Sequence, residues 1–115
     1  TLQLIATLGT TPANYTHEYF IDENPYRSKF SFLALKEHFN IKDEDVIIIG
    51  TEATRKKQKE YIKNFNFIEV NADDFDDVFA KAIKSFENDA ILDLTQAFKS
   101  IGYGSLLSYI FSKSI

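Results

Sequence analysis

The chain contains no cysteine, no methionine and no tryptophan, and it has only two prolines and four glycines in 115 residues. Without cysteine there is no disulfide framework, no thiolate metal site and no cysteine nucleophile, and the composition fits a reducing compartment. No apolar run approaches the ~18 consecutive residues that a membrane-spanning helix needs. The N-terminus lacks a basic flank followed by a short apolar run and a small-residue cleavage site, so no signal peptide is expected. The expected location is cytoplasmic, with no membrane partner. An excess of positive charge is also missing: 13 Lys and Arg against 17 Asp and Glu give a formal charge of −4. That balance argues against tight, sequence-blind binding to long nucleic acid, which runs on many cation–phosphate contacts. A small anionic ligand needs only a local positive site. What is present is 44% hydrophobic and 15% aromatic residues, with eleven Phe and six Tyr. That composition is right for a single folded domain over residues 1–115 with one core. No repeat, low-complexity segment or linker interrupts it.

Residues 2–8 read as a buried first strand that ends in turn chemistry at residues 9–14 (Gly-Thr-Thr-Pro-Ala-Asn). Residues 15–21 alternate aromatic and polar side chains, as an extended arm would, and residues 22–25 read as a turn. A helix is expected over 27–39, with Phe30, Leu33, Ala34 and neighbours forming a wide apolar stripe. Residues 45–50 are a β-branched run and hence a second buried strand. Thr51 can cap a very polar helix over 52–63. A third strand is expected at 65–70. A helix capped by Asp73 and Asp74 follows, with Phe75, Val78, Phe79, Ala82, Ile83 and Phe86 at helical spacing. A fourth strand is expected at 90–94, and a last helix over 98–113 is apolar nearly all round. Strands alternating with helices imply parallel β-α-β units with right-handed crossovers, and so an open α/β sheet. Strand 1 is expected to be central, with strands 2 and 3 on one side and strand 4 on the other. Ligands of such sheets bind at the carboxyl ends of the strands flanking the reversal. Two loops are therefore singled out, 9–14 after strand 1 and 95–99 after strand 4.

The first loop offers Gly9, the hydroxyls of Thr10 and Thr11, the Asn14 amide and backbone N–H groups. It is neither a dinucleotide fingerprint nor a Walker A loop, and an ordinary strand-exit turn is the competing reading. In the second, a helix N-terminus with free N–H groups and Lys99 suits a phosphate; the alternative is that Thr95 caps the helix and Lys99 is solvated. Asp93, at the end of a buried strand, needs donors around it.

Strand 1 followed by Leu8-Gly9-Thr10-Thr11 and Asn14-Tyr15, then a hairpin and a helix carrying Lys29-Phe30 and Ala34-Leu35, resembles the CARF (CRISPR-associated Rossmann-fold) domains. Residues 91–100 (Ile-Leu-Asp-Leu-Thr-Gln-Ala-Phe-Lys-Ser) resemble the Asp-x-Thr-His-Gly-Phe-Arg-Ser signature of one branch of that family. Gln96, Ala97 and Lys99 depart from it, standing for His, Gly and Arg. The resemblance runs over roughly residues 3 to 111. It implies a Rossmann-like, mainly parallel sheet with helices on both faces, and a two-fold homodimer; the last helix has more apolar surface than one sheet face covers, so one side is expected to meet the partner, the competing reading being a simple core helix. It also implies a cyclic oligoadenylate ligand, a ring of four or six adenylates that serves type III CRISPR antiviral defence as a second messenger. A CARF protein without an effector domain resembles the ring nucleases, which linearise that messenger. The chemistry is metal-independent and needs no cofactor: the 2′-OH attacks the adjacent phosphate and leaves a 2′,3′-cyclic phosphate. In that role Thr10 and Thr11 would position ribose and phosphate. Lys99, with the Gln96 amide and loop N–H groups, would meet the developing charge. Gly9, Asn14, Thr51, Asp93, Thr95 and Phe98 would complete the binding surface, and Arg55 would steer the anion. The alternative is a non-catalytic sensor domain that regulates an attached or partner nuclease; the chain is read either as a minimal stand-alone protein or as one piece of a longer one.

Neither histidine has a partner at metal spacing. His38 reads as a surface or half-buried residue, and His17 as part of an arm able to close over a ligand. The acidic residues at 73–77 lack a Gly-hinged calcium loop and suit a helix N-terminus. The basic stretch of Arg55, Lys56, Lys57, Lys59 and Lys63 reads mostly as a solvated helix face.

Overall fold

The computed structural model describes residues 2–10, 14–71, 73, 81 and 89–93. Six strands, three α-helices and a short 3-10 turn at Asp43–Asp45 are present among them: β1 (Leu2–Thr7), β2 (His17–Ile21), β3 (Asn24–Ser28), α1 (Ser31–His38), β4 (Val46–Gly50), α2 (Glu52–Lys57), α3 (Lys59–Ile62), β5 (Asn66–Glu69) and β6 (Asp89–Asp93). A four-stranded sheet runs in the order β5-β4-β1-β6, with all three pairings parallel. The expected strand order and the central place of the first strand are therefore observed. The helices expected over 75–86 and 98–113 lie outside the described residues, as does the dimer surface assigned to the second of them.

Period-2 alternation sorts the apolar residues onto the two faces. Leu4 and Ala6 of β1, and Leu8 just past its end, join Val46, Ile48, Phe30, Phe32, Ile41 and Ile62 in one buried cluster. Ile5 joins Ile47, Ile49 and Val70 in a second cluster on the opposite face. Aromatic rings fill the first: Phe30 lies edge-on to Tyr61 with centroids 5.2 Å apart, and Phe32 edge-on to Phe65 at 5.8 Å. Both α1 and α3 pack on that face, as two right-handed crossovers stepping in the same direction require.

The strands fall within one residue of their expected ends at β1, β4, β5 and β6, and the larger departures are in the hairpin and helices. The helix expected from residue 27 starts at Ser31, because Arg27 and Ser28 pair with Glu18 and His17 in an antiparallel hairpin. The turn expected at 22–25 shrinks to Asp22 and Glu23, which take positive φ of 50° and 70°, the handedness a two-residue hairpin turn demands. The helix expected over 52–63 is broken at Gln58, whose φ of −101° and ψ of 17° leave the helical well. At the end of α1, Asn40 takes φ 53°. Its N–H reaches the Glu37 carbonyl at 3.2 Å while Ile41 N–H reaches that of Lys36 at 3.0 Å, a left-handed stop that asparagine tolerates. No helix among the described residues is long and apolar enough to cross a membrane.

Candidate functional site

The carboxyl end of β1 is held from one side by α2. Leu8 N–H continues the ladder to the Ile49 carbonyl at 3.0 Å. The Thr54 hydroxyl then donates to the Leu8 carbonyl at 3.1 Å, and the Gln58 side-chain amide donates to the Gly9 carbonyl at 3.3 Å. Both side chains are buried, at 0% and 2% exposure, so each bond satisfies groups that water does not reach. Thr51 caps α2 as expected: its hydroxyl accepts from Thr54 N–H at 3.3 Å and lies 3.2 Å from the Thr54 hydroxyl. Gly50 allows this close approach. A Cβ there would stand 2.9 Å from Thr54 Cγ2 and 3.0 Å from the Leu8 carbonyl oxygen.

A planar trans peptide sets its N–H opposite its C=O. With the Leu8 and Gly9 carbonyls turned toward α2, the N–H groups of Gly9 and Thr10 point away from it. Neither N–H has a hydrogen-bond acceptor among the described residues. Gly9 is buried and Thr10 half-buried. Successive backbone donors left open on one side of a loop are groups that suit an anion.

Asp93 closes the neighbouring strand. It pairs with Ala6 across the β1–β6 ladder, and its carbonyl accepts from the Thr7 hydroxyl at 3.3 Å. Asp93 is 6% exposed, and its carboxylate accepts from the Ser31 hydroxyl at 2.6 Å, a short, charge-assisted bond. Tyr19 of the hairpin also faces this charge: burial, and then the Asp93 carboxylate, push its phenol above its usual value. The start of α1, the end of β6 and the hairpin thus meet around one carboxylate beside β1.

Of the residues singled out in the sequence, Gly9, Thr10 and Asp93 fall at the ends of these two adjacent strands. Asn14 is exposed. Thr51 lies past β4, its hydroxyl engaged in the cap, on a cavity of about 460 Å³ shared with Glu52, Ala53, Glu69, Val70, Asn71, Asp73 and Lys81. That cavity sits over the ends of β4 and β5, away from the strand reversal between β1 and β6. Arg55 is exposed and pairs with Glu69 at 2.9 Å. It also borders a second cavity of about 380 Å³, whose rim carries Lys56, Lys59 and Lys63 above Ile62, Phe65 and Phe67. Thr11, Thr95, Gln96, Phe98 and Lys99 lie outside the described residues. His17 is exposed on β2. His38 is held by two partners: the Tyr26 hydroxyl donates to Nδ1 at 2.7 Å, and Nε2 donates to the Asp22 carboxylate at 3.0 Å. No cluster of metal-ligating side chains occurs among the described residues.

Ser31, Tyr19, Thr54 and Gln58 were not foreseen. For Thr54 and Gln58 a signal exists: together with Ile62 they form an i, i+4, i+8 stripe on an otherwise charged helix. A helix that packs must bury some face, and this stripe holds the least charged residues available. Ser31 carries no such signal, because its role depends on where the helix begins. No protein-family model matches the sequence, and no curated protein matches it.

Proposed function

We propose that the end of the central strand is a phosphodiester-binding site, in a Rossmann-like domain that pairs as a homodimer around a cyclic oligoadenylate. The observation that carries the reading is the pair of N–H groups at Gly9 and Thr10, turned away from α2 at the carboxyl end of the central strand, one strand away from the buried Asp93. Ligands of open α/β sheets bind there, and successive backbone donors favour a phosphate oxygen. A site built from N–H groups needs no surplus of basic side chains, in keeping with the net charge of −4. The symmetry of a ring with an even number of nucleotides matches an isologous dimer.

In this reading the loop N–H groups hold a phosphoryl oxygen while Thr10 and Thr11 align the ribose. The 2′-OH gives up its proton as it attacks its own 3′-phosphate, the 5′-oxygen of the next nucleotide leaves and takes up a proton to become a 5′-OH, and the ring opens to a 2′,3′-cyclic phosphate end. Donors fixed before the reaction stabilise the charge that develops on the phosphoryl oxygens, and in-line alignment of the 2′-OH supplies the rest. Lys99 is assigned to the same charge from sequence alone.

Incubation of the protein with cyclic tetra-adenylate and with cyclic hexa-adenylate, in EDTA, tests this. Linear products with cyclic phosphate ends are expected from one ring. Both rings recovered intact but bound would leave the non-catalytic sensor. A protein that neither cleaves nor binds either ring would overturn the site.

A further inference from the structure

The segment over α2 and α3 is the most charged part of the described chain, yet its inward stripe reaches the backbone of another element. Thr54 and Gln58 each donate a buried hydrogen bond to consecutive carbonyls of the strand-1 exit. The break between the helices has the same focus. Gln58 ends α2, keeps its own N–H on the Thr54 carbonyl at 2.9 Å and gives its carbonyl to Tyr61 N–H at 2.9 Å. The N–H and the carbonyl of Gln58 therefore both stay bonded at the break, and its side-chain amide is directed at Gly9.

We infer that Thr54 and Gln58 are positioning residues for the anion site, fixing the direction of the Gly9 and Thr10 N–H groups through the carbonyls they hold. The inference rests on the phosphodiester reading above, and it names the part of the fold that shapes the site. Glycine at position 9 makes such a device necessary. With no Cβ, Gly9 has more open conformations than any other residue, so the peptide planes on either side of it can rotate. Rotation of the Gly9–Thr10 plane would turn its N–H toward α2 and its carbonyl to the side the N–H had faced, replacing a donor with an acceptor facing an anion. The Gln58 amide blocks that rotation by holding the carbonyl. Thr54 does the same one plane earlier, where Gly50 gives it room. The two carbonyl-facing donors come from one helix turn, so the two N–H groups are set as a unit.

Four variants test this: Thr54→Val, which keeps the shape and removes the donor; Thr54→Ser, which keeps the hydroxyl; Gln58→Met, which keeps length without a donor; and Gln58→Glu, which presents an acceptor to the Gly9 carbonyl. Amide ¹⁵N–¹H resonances of Gly9 and Thr10 are read without ligand, and affinity is then read with cyclic tetra-adenylate and cyclic hexa-adenylate. Without ligand, Thr54→Val, Gln58→Met and Gln58→Glu are expected to shift or broaden the Gly9 and Thr10 signals, while Thr54→Ser leaves them in place. With the ring that the wild type binds, the first three should weaken affinity roughly tenfold or more, the loss of one well-placed hydrogen bond, and Thr54→Ser should stay near wild type. Thr54→Ser as weak as Thr54→Val at matched thermal stability would reduce Thr54 to a packing role and overturn the inference. So would unmoved Gly9 and Thr10 signals in Gln58→Met. If the wild type binds neither ring, the phosphodiester reading fails; the ligand-free spectra still decide whether the two side chains orient the amides. If the wild type binds and Gln58→Met binds equally well, the positioning role fails and the reading stands.

Discussion

Two segments next to the central strand are both rich in polar residues, and they are held in opposite ways. The strand-1 exit is gripped from beneath by buried side chains acting on its backbone, Thr54 on Leu8 and Gln58 on Gly9. The hairpin β2–β3 is gripped at its side chains and near its tip, where Asp22, His38 and Tyr26 form a chain of hydrogen bonds to the end of α1. One face of the hairpin, with Phe20 at 68% exposure, stays open to solvent. The first arrangement fixes peptide planes and therefore the direction of N–H donors. The second fixes only where a strand pair sits. A site built from backbone donors needs the first kind; an arm needs only the second.

Four measurements break or sharpen that contrast. The largest effect is expected for Asp93→Ala, which removes the acceptor of the Ser31 hydroxyl in a buried setting. Urea unfolding should show a loss of about 3 kcal/mol, and ring binding should fall with it. Gly50→Ala comes next. Its methyl group would meet Thr54 and the Leu8 carbonyl at about 3 Å, and overpacking of that kind costs roughly 1–3 kcal/mol. The Gly9 and Thr10 amide signals should move while those of the hairpin do not.

His38→Phe reverses the pattern. It cuts both hydrogen bonds of the clamp, one of which ends on the 77% exposed Asp22 side chain, and should cost about 1 kcal/mol. Amide exchange should quicken in residues 17–28, with the strand-1 exit unchanged; quickening at Gly9 would show that the two regions are not independent. The smallest effect is a pH dependence. Tyr19 holds its proton above the usual phenol value, chiefly through burial and then through Asp93. The folded state therefore binds that proton more tightly than the unfolded chain. Its contribution is complete below about pH 10 and is lost as pH rises through the higher folded value. Wild type should lose a few tenths of a kcal/mol more than Tyr19→Phe between about pH 10 and 12; equal slopes would remove Tyr19 from the neighbourhood of the carboxylate.

The sheet was legible in the sequence because its signal is local and repeated. β-branched runs such as 46–49 and the alternation of Leu4, Ala6 and Leu8 with Ile5 leave few options, and the crossover rule then orders the strands. The start of α1 was not legible. Arg27 and Ser28 suit a helix by propensity, and only pairing with Glu18 and His17 across the hairpin makes them a strand. The clamp on His38 was hidden for the same reason: Asp22, Tyr26 and His38 have no helical or strand spacing between them, and the hairpin fold alone brings them together. Gly9, Thr10 and Asp93 could be found because topology names the ends of the strands before any side chain is considered. Thr54 and Gln58 escaped because a polar side chain on a charged helix reads as solvated until something is placed beneath it.

The most direct test follows the amide signals of ¹⁵N-labelled protein as cyclic tetra-adenylate, and in a second series cyclic hexa-adenylate, is added. The account predicts that the largest shifts fall on Gly9 and Thr10, with the hairpin tip at Asp22 and Glu23 unmoved. Shifts centred instead on Thr51, Glu69 and Asn71, or no shift with either ring, would contradict it.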